Sequence, residues 1–186
     1  MKILMTSLLV LTSLIPVTST AADATAGKQK AGICFGCHGP EGNSAIATNP
    51  TLAGQKADYL LNQLHAFKEG KRANPIMGGM AKNLSDDDMT NLAAYFAEQK
   101  GKSANGDAAL AKEGAAKASQ CFGCHAPNAQ GRGMFPKLAG QQPAYLAQQL
   151  RNFKSGERKS GPMQAIAATL SDADIAQITA YLSTLQ

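Results

Sequence analysis

Cys34-Phe35-Gly36-Cys37-His38 and Cys121-Phe122-Gly123-Cys124-His125 are one pentapeptide written twice in a chain of 186 residues, and together they hold all four of its cysteines. The likeness spreads outward from them. Leu52-Ala53-Gly54-Gln55 returns as Leu138-Ala139-Gly140-Gln141. Tyr59-Leu60, Gln63-Leu64 and Phe67-Lys68 return as Tyr145-Leu146, Gln149-Leu150 and Phe153-Lys154. Leu84-Ser85-Asp86 and Ala94-Tyr95 return as Leu170-Ser171-Asp172 and Ala180-Tyr181. The offset is 87 at the cysteines and 86 from Pro50 and Pro136 onward, so one residue separates the two loops between them. A period this long marks a duplicated domain rather than a solenoid.

The polar stretch Gln99-Lys100-Gly101-Lys102-Ser103-Ala104-Asn105-Gly106 reads as the joint. It divides the chain into residues 23–100 and 101–186. Residues 1–22 read as a signal peptide: Lys2, an apolar and hydroxylic run from Ile3 to Val17, then small residues, with cleavage after Ala21 or Ala22. The run is too short and too rich in Ser and Thr to span a bilayer comfortably.

Each half is expected to be all-α. Leu60, Leu64 and Phe67 fall at i, i+4 and i+7, as do Leu146, Leu150 and Phe153, giving one apolar stripe per helix. Gly70 and Gly156 supply stops. Ser85 and Ser171, each followed by aspartates, cap a last helix. Its buried face is Met89, Leu92, Ala93 and Phe96 in the first half, and Ile175, Ile178, Thr179 and Leu182 in the second. Halves of about 80 residues with few aromatics are short of core, and domains of that size usually need a staple.

The cysteine motif provides one. Two thiols three residues apart can each add to a vinyl group of one porphyrin, and the histidine that follows is aimed at its iron. Two covalent haem c groups are therefore expected, at Cys34/Cys37 and Cys121/Cys124. A zinc site would favour a closed Cys/His quartet within one small domain, a thioredoxin-like pair would want a βαβ context, and plain disulfides leave the repeated histidine unexplained. His38 and His125 are the proximal ligands. The third histidine, His65, matches Arg151 and so cannot be a shared sixth ligand. Methionine is the alternative donor, and Met/His ligation raises the iron potential. Met77 aligns with Met163, whereas Met80 aligns with Ile166 and reads as core filling. Met134 lies too close to His125. The carbonyls of Pro50 and Pro136, twelve and eleven residues beyond the histidines, are candidates to hold their second ring nitrogens.

The formal charge of +5 becomes +4 without Lys2, with residues 23–100 neutral and 101–186 at +4. The basic residues are scattered and Trp is absent, so no nucleic-acid groove is expected.

On CFGCHGPEGNS, LAGQ with the following YLLNQLHAFKEG, and the late methionine before LSD, the chain resembles the dihaem cytochrome c4 family, tandem class I cytochrome c domains. The resemblance implies His38 with Met77 and His125 with Met163 as iron ligands, and Pro50 and Pro136 as partners of the histidines. It implies a periplasmic carrier passing single electrons from a bc-type complex to a haem–copper terminal oxidase, a monomer that associates at most peripherally with membrane complexes. One departure stands out. Ala126-Pro127-Asn128-Ala129 replaces the Gly39-Pro40-Glu41-Gly42 of the first half, which leaves the second loop's shape open. The competing reading is a dihaem enzyme or subunit, a peroxidase or a sulfur-compound dehydrogenase. Catalysis at iron needs an open position, and each half offers a methionine to close its own.

Overall fold

The computed structural model describes residues 21–186; the apolar leader, up to its last two residues, lies outside the described part. The first half folds as α1 (Ala24–Lys30), α2 (Gly32–His38), α3 (Ala57–Lys68), α4 (Pro75–Lys82) and α5 (Asp86–Glu98). The second folds as α6 (Ala108–Ala118), α7 (Phe122–His125), α8 (Pro143–Ser155), α9 (Gly161–Ala168) and α10 (Asp172–Thr184). Among the described residues the only β feature is an isolated bridge, Arg132 to Phe135. Both halves are all-α, as the periodicity requires.

In each half the first helix packs across the last, α1 on α5 and α6 on α10. The last helices start where the serines predict. Ser85 Oγ accepts from the Asp88 amide at 3.0 Å, and Asp88 accepts from the Ser85 amide at 3.0 Å. Ser171 and Asp174 repeat this reciprocal cap. The same carboxylates reach the first helices through Lys30–Asp88 and Lys117–Asp174 ion pairs, so each cap also ties the helix crossing. Behind the caps Met89, Leu92, Ala93 and Phe96, and Ile175, Ile178, Thr179 and Leu182, are buried.

The apolar stripes of α3 and α8 do something else. Leu60, Leu64 and Phe67, with Leu146, Leu150 and Phe153, line a single large cleft, while Leu60, Leu64, Leu146 and Leu150 also pack into the two cores. Met80 departs from expectation for the same reason: it is 37% exposed and lies on the cleft wall, as does Ile166 at 41%. Neither fills a core.

The loop after the second motif keeps the first loop's path. Gly39 (φ 74, ψ 167) is matched by Ala126 (φ 64, ψ 165), Glu41 (φ 55, ψ 16) by Asn128 (φ 52, ψ 24), and Gly42 (φ 81) by Ala129 (φ 56). The path is needed because the Gly42 carbonyl accepts from the Leu52 and Ala53 amides, and the Ala129 carbonyl accepts from Leu138 and Ala139. Ala126 therefore sits where a Cβ is strained, at a cost of about 1–3 kcal/mol. Ala126→Gly should stabilise the second domain by about 1 kcal/mol net of the extra unfolded-state freedom of glycine. That corresponds to roughly 4–8 °C in the melting of a domain this size. Calorimetry of the haem-loaded protein checks it, and a lower melting temperature would refute the strain.

Candidate functional site

One cleft of about 1240 Å³ runs between the two halves. Close-packed interiors hold few voids larger than a water, and a site for one drug-sized ligand is about 300–1,000 Å³. Both cysteine pairs, both motif histidines, Met77 and Met163 line it. His65 does not.

Each motif rides on a short helix that presents its residues inward. Cys34 and Cys121 are half-buried, Cys37 and Cys124 are exposed, and none of the four is in a disulfide. His38 and His125 are buried, at 7% and 6% exposure. Burial pushes both imidazoles below the ordinary histidine value, opposed in part by hydrogen bonds to the Pro50 and Pro136 carbonyls. Those bonds are 2.8 Å from His38 Nδ1 to Pro50 and 2.9 Å from His125 Nδ1 to Pro136. A carbonyl only accepts, so Nδ1 carries the proton and Nε2 keeps its lone pair for a metal. Both proline carbonyls thus stand where their spacing from the histidines suggested.

Met77 lies in the first turn of α4, where Asn74 Oδ1 accepts from the Met77 amide at 2.9 Å. Met163 lies in the matching turn of α9, also with proline at the helix start. These two short helices place a thioether at the same point of each half.

On the cleft wall the halves meet in a reciprocal polar network. Arg72 donates to Gln63 Oε1 (2.7 Å) in its own half, and to Tyr145 Oη (2.9 Å) and Gln149 Oε1 (2.8 Å) in the other. Arg158 donates to Gln149 Oε1 (2.8 Å), and across to Tyr59 Oη (2.9 Å) and Gln63 Oε1 (2.9 Å). Each guanidinium also covers a phenylalanine, Phe67 or Phe153, at 4.6 Å from the ring centroid. Burial alone would raise the Tyr59 hydroxyl, but the two arginines hold it below its usual value. Among the described residues no carboxylate pairs with either arginine. Sequence reasoning marked Tyr59, Gln63, Tyr145 and Gln149 as repeats but passed over Arg72 and Arg158. The signal was present: the two arginines also stand 86 apart.

Two helical domains in tandem, each bringing a buried histidine, a CxxC pair and a methionine to one shared cleft, define a dihaem c-type cytochrome. The cytochrome c family model matches residues 24–100 and again 109–186. Cytochrome c4 of Pseudomonas aeruginosa is 42% identical over the full length of both chains. The thiosulfate dehydrogenase electron acceptor of Thiomonas intermedia is 36% identical over 87% of this chain and 82% of its own. The crystal structure of reduced recombinant cytochrome c4 from Pseudomonas stutzeri superposes with a TM-score of 0.83 at 42% identity, covering 89% of this chain and 100% of that one. The chain belongs to the cytochrome c family, in its tandem cytochrome c4 branch. It is a dihaem electron-transfer protein carrying one haem c per domain, and it acts with redox partners.

Proposed function

We propose that the chain is a periplasmic shuttle that takes single electrons from a bc-type complex and delivers them to a haem–copper terminal oxidase. In this reading His38 and Met77 would hold the first iron, and His125 and Met163 the second. Residues 23–100 and 101–186 are the two haem-bearing units. The observation that carries the reading is that one cleft is lined by two equivalent sets of cysteine pair, histidine and methionine. Met77 and Met163 would each close one iron and so leave no open position for substrate. The haem supplies the one-electron chemistry when bound. The protein orients the histidines through Pro50 and Pro136 and shields the site with the apolar faces of α3 and α8. Arg72 and Arg158 supply positive charge that the haem carboxylates would balance. Among the described residues no helix is long and apolar enough to cross a membrane.

A second donor is supported by two relatives, each named as the electron acceptor of a thiosulfate dehydrogenase. That role is also carriage of electrons, with catalysis on the partner. Carrier and enzyme separate on one measurement. Reduced protein, with two haems retained on the chain after acid–acetone extraction, should bind carbon monoxide slowly and far below stoichiometry. Rapid stoichiometric binding at either iron would overturn the carrier reading in favour of an enzyme with an open site.

A further inference from the structure

The glutamines that end the two LAGQ repeats do not serve their own halves. Gln141 lies in the second half, yet its Oε1 accepts from the Thr51 amide at 2.7 Å and its Nε2 donates to the Thr51 carbonyl at 2.9 Å. Gln55 does the same in reverse, accepting from the Lys137 amide at 2.7 Å and donating to the Lys137 carbonyl at 2.9 Å. Both side chains are buried, each at 6% exposure. A satisfied, two-bond clamp repeated across a domain boundary is costly to leave half-made.

What the clamp holds gives it a function. The Thr51 amide and the Pro50 carbonyl belong to one planar peptide group. One end of that group accepts from His38 Nδ1 at 2.8 Å, and the other donates to Gln141. The chain of bonds is therefore His38 N–H to Pro50 carbonyl, then Thr51 N–H to Gln141. In the other direction it runs His125 N–H to Pro136 carbonyl, then Lys137 N–H to Gln55. Bonds in series through a peptide polarise one another, by roughly 10–30% per bond. A glutamine oxygen pulling on the amide end makes the carbonyl end a stronger acceptor. A stronger acceptor at Nδ1 makes the imidazole a more basic ligand, which favours the ferric state.

We infer that Gln141 and Gln55 are positioning residues that set the potential of the haem in the opposite domain, each through one peptide and one axial histidine. The inference rests on His38 and His125 being the iron ligands. It makes the domain interface part of each iron's outer coordination: separating the halves weakens both histidine bonds together. No bond to iron is made or broken. The tuning acts on where one electron resides.

The test uses the haem-loaded full chain. In Gln141→Leu the Thr51 amide loses its acceptor, and the first-domain haem should become easier to reduce. Its ferrous-to-ferric ratio at a fixed solution potential should rise about two- to fivefold, roughly 20–40 mV at about 59 mV per tenfold for one electron. The second-domain haem should hold its midpoint, although the substitution is in its own domain. Gln55→Leu should do the converse and carries the test independently. Gln141→Glu offers an oxygen to the same amide and, when protonated, a donor to the same carbonyl. It should return the midpoint toward wild type, whereas a merely structural role would move both Gln141 variants alike. Assignment comes from 15N-histidine NMR of the ferrous protein, since the chain has three histidines. The His38 Nδ1 proton should move upfield in Gln141→Leu while that of His125 stays. A shift confined to the variant's own domain, equal shifts at both haems, or none overturns the inference. Failure of the ligand assignment is visible beforehand: a His38 ring not bound to iron would lack the paramagnetic shift of an iron ligand in the oxidised wild-type protein.

Discussion

Met77→Ala should lower the potential of the first-domain haem by on the order of 100 mV, a small part of the ~0.8 V that axial ligation commands. A thioether favours the ferrous state. Losing that preference costs about 2.3 kcal/mol per electron for every 100 mV. The weak sulfur-to-iron absorption toward the red should vanish for one haem of two, and carbon monoxide should then bind at half stoichiometry. Met80→Ala is the control. Met80 lines the same cleft three residues later, at 37% exposure. Its counterpart is Ile166, which has no donor atom, so a Met80 ligand would leave the two irons unlike. Met80→Ala should keep both midpoints and the red absorption. Spectroelectrochemistry of the two variants decides. Loss of the sulfur absorption in Met80→Ala but not Met77→Ala would reverse the assignment.

The Met77 assignment shows what a duplicated sequence makes legible. Comparing the halves exposes whatever each domain does by itself and both repeat: the cysteine pairs, the histidines and their proline carbonyls, the Ser85 and Ser171 caps, and the buried face of each last helix. Periodicity alone left open what the stripes of α3 and α8 face. A stripe facing a haem cleft and a stripe facing a protein core have the same spacing and composition, so Leu64 and Leu150 look like core in either case. Met80 failed for that reason too. Contacts between the halves were illegible for a different one. Arg72 reaching Tyr145, or Gln141 reaching Thr51, depends on how two domains are placed, and no local pattern encodes it. Their trace was a polar residue repeated at the same offset of 86. The second loop is the opposite case. Its letters change from glycine to alanine, but its two carbonyl-to-amide bonds pin the backbone to the old path.

The largest stability effect should come from the glycines where first and last helices cross. A Cβ on Gly114 would overlap the backbone carbonyl of Gln177 in α10, and one on Gly27 would overlap that of Asn91 in α5. The obstacle is helix backbone in both cases, so no side-chain rotation relieves it. The crossing must widen, which pulls α6 from α10 and loosens the contacts beneath Ile178 and Ala118, both in the second core. Overpacking of this kind costs about 1–3 kcal/mol and more where backbone must move. Alanine's better helix propensity returns only about 1 kcal/mol. Gly114→Ala should therefore destabilise the second domain by about 3 kcal/mol, or roughly 12–24 °C of melting temperature for a domain of this size. Gly27→Ala should do the same to the first. Gly32 sits at the exposed start of α2 with nothing within 4 Å of its Cβ direction, so Gly32→Ala should leave melting unchanged or slightly raised. Calorimetry of the haem-loaded variants separates steric from propensity effects. If Gly114→Ala melts with the wild type, the crossing is looser than the Gly114–Gln177 approach requires. The two repeats would then be held by their caps and haems rather than by close helix contact.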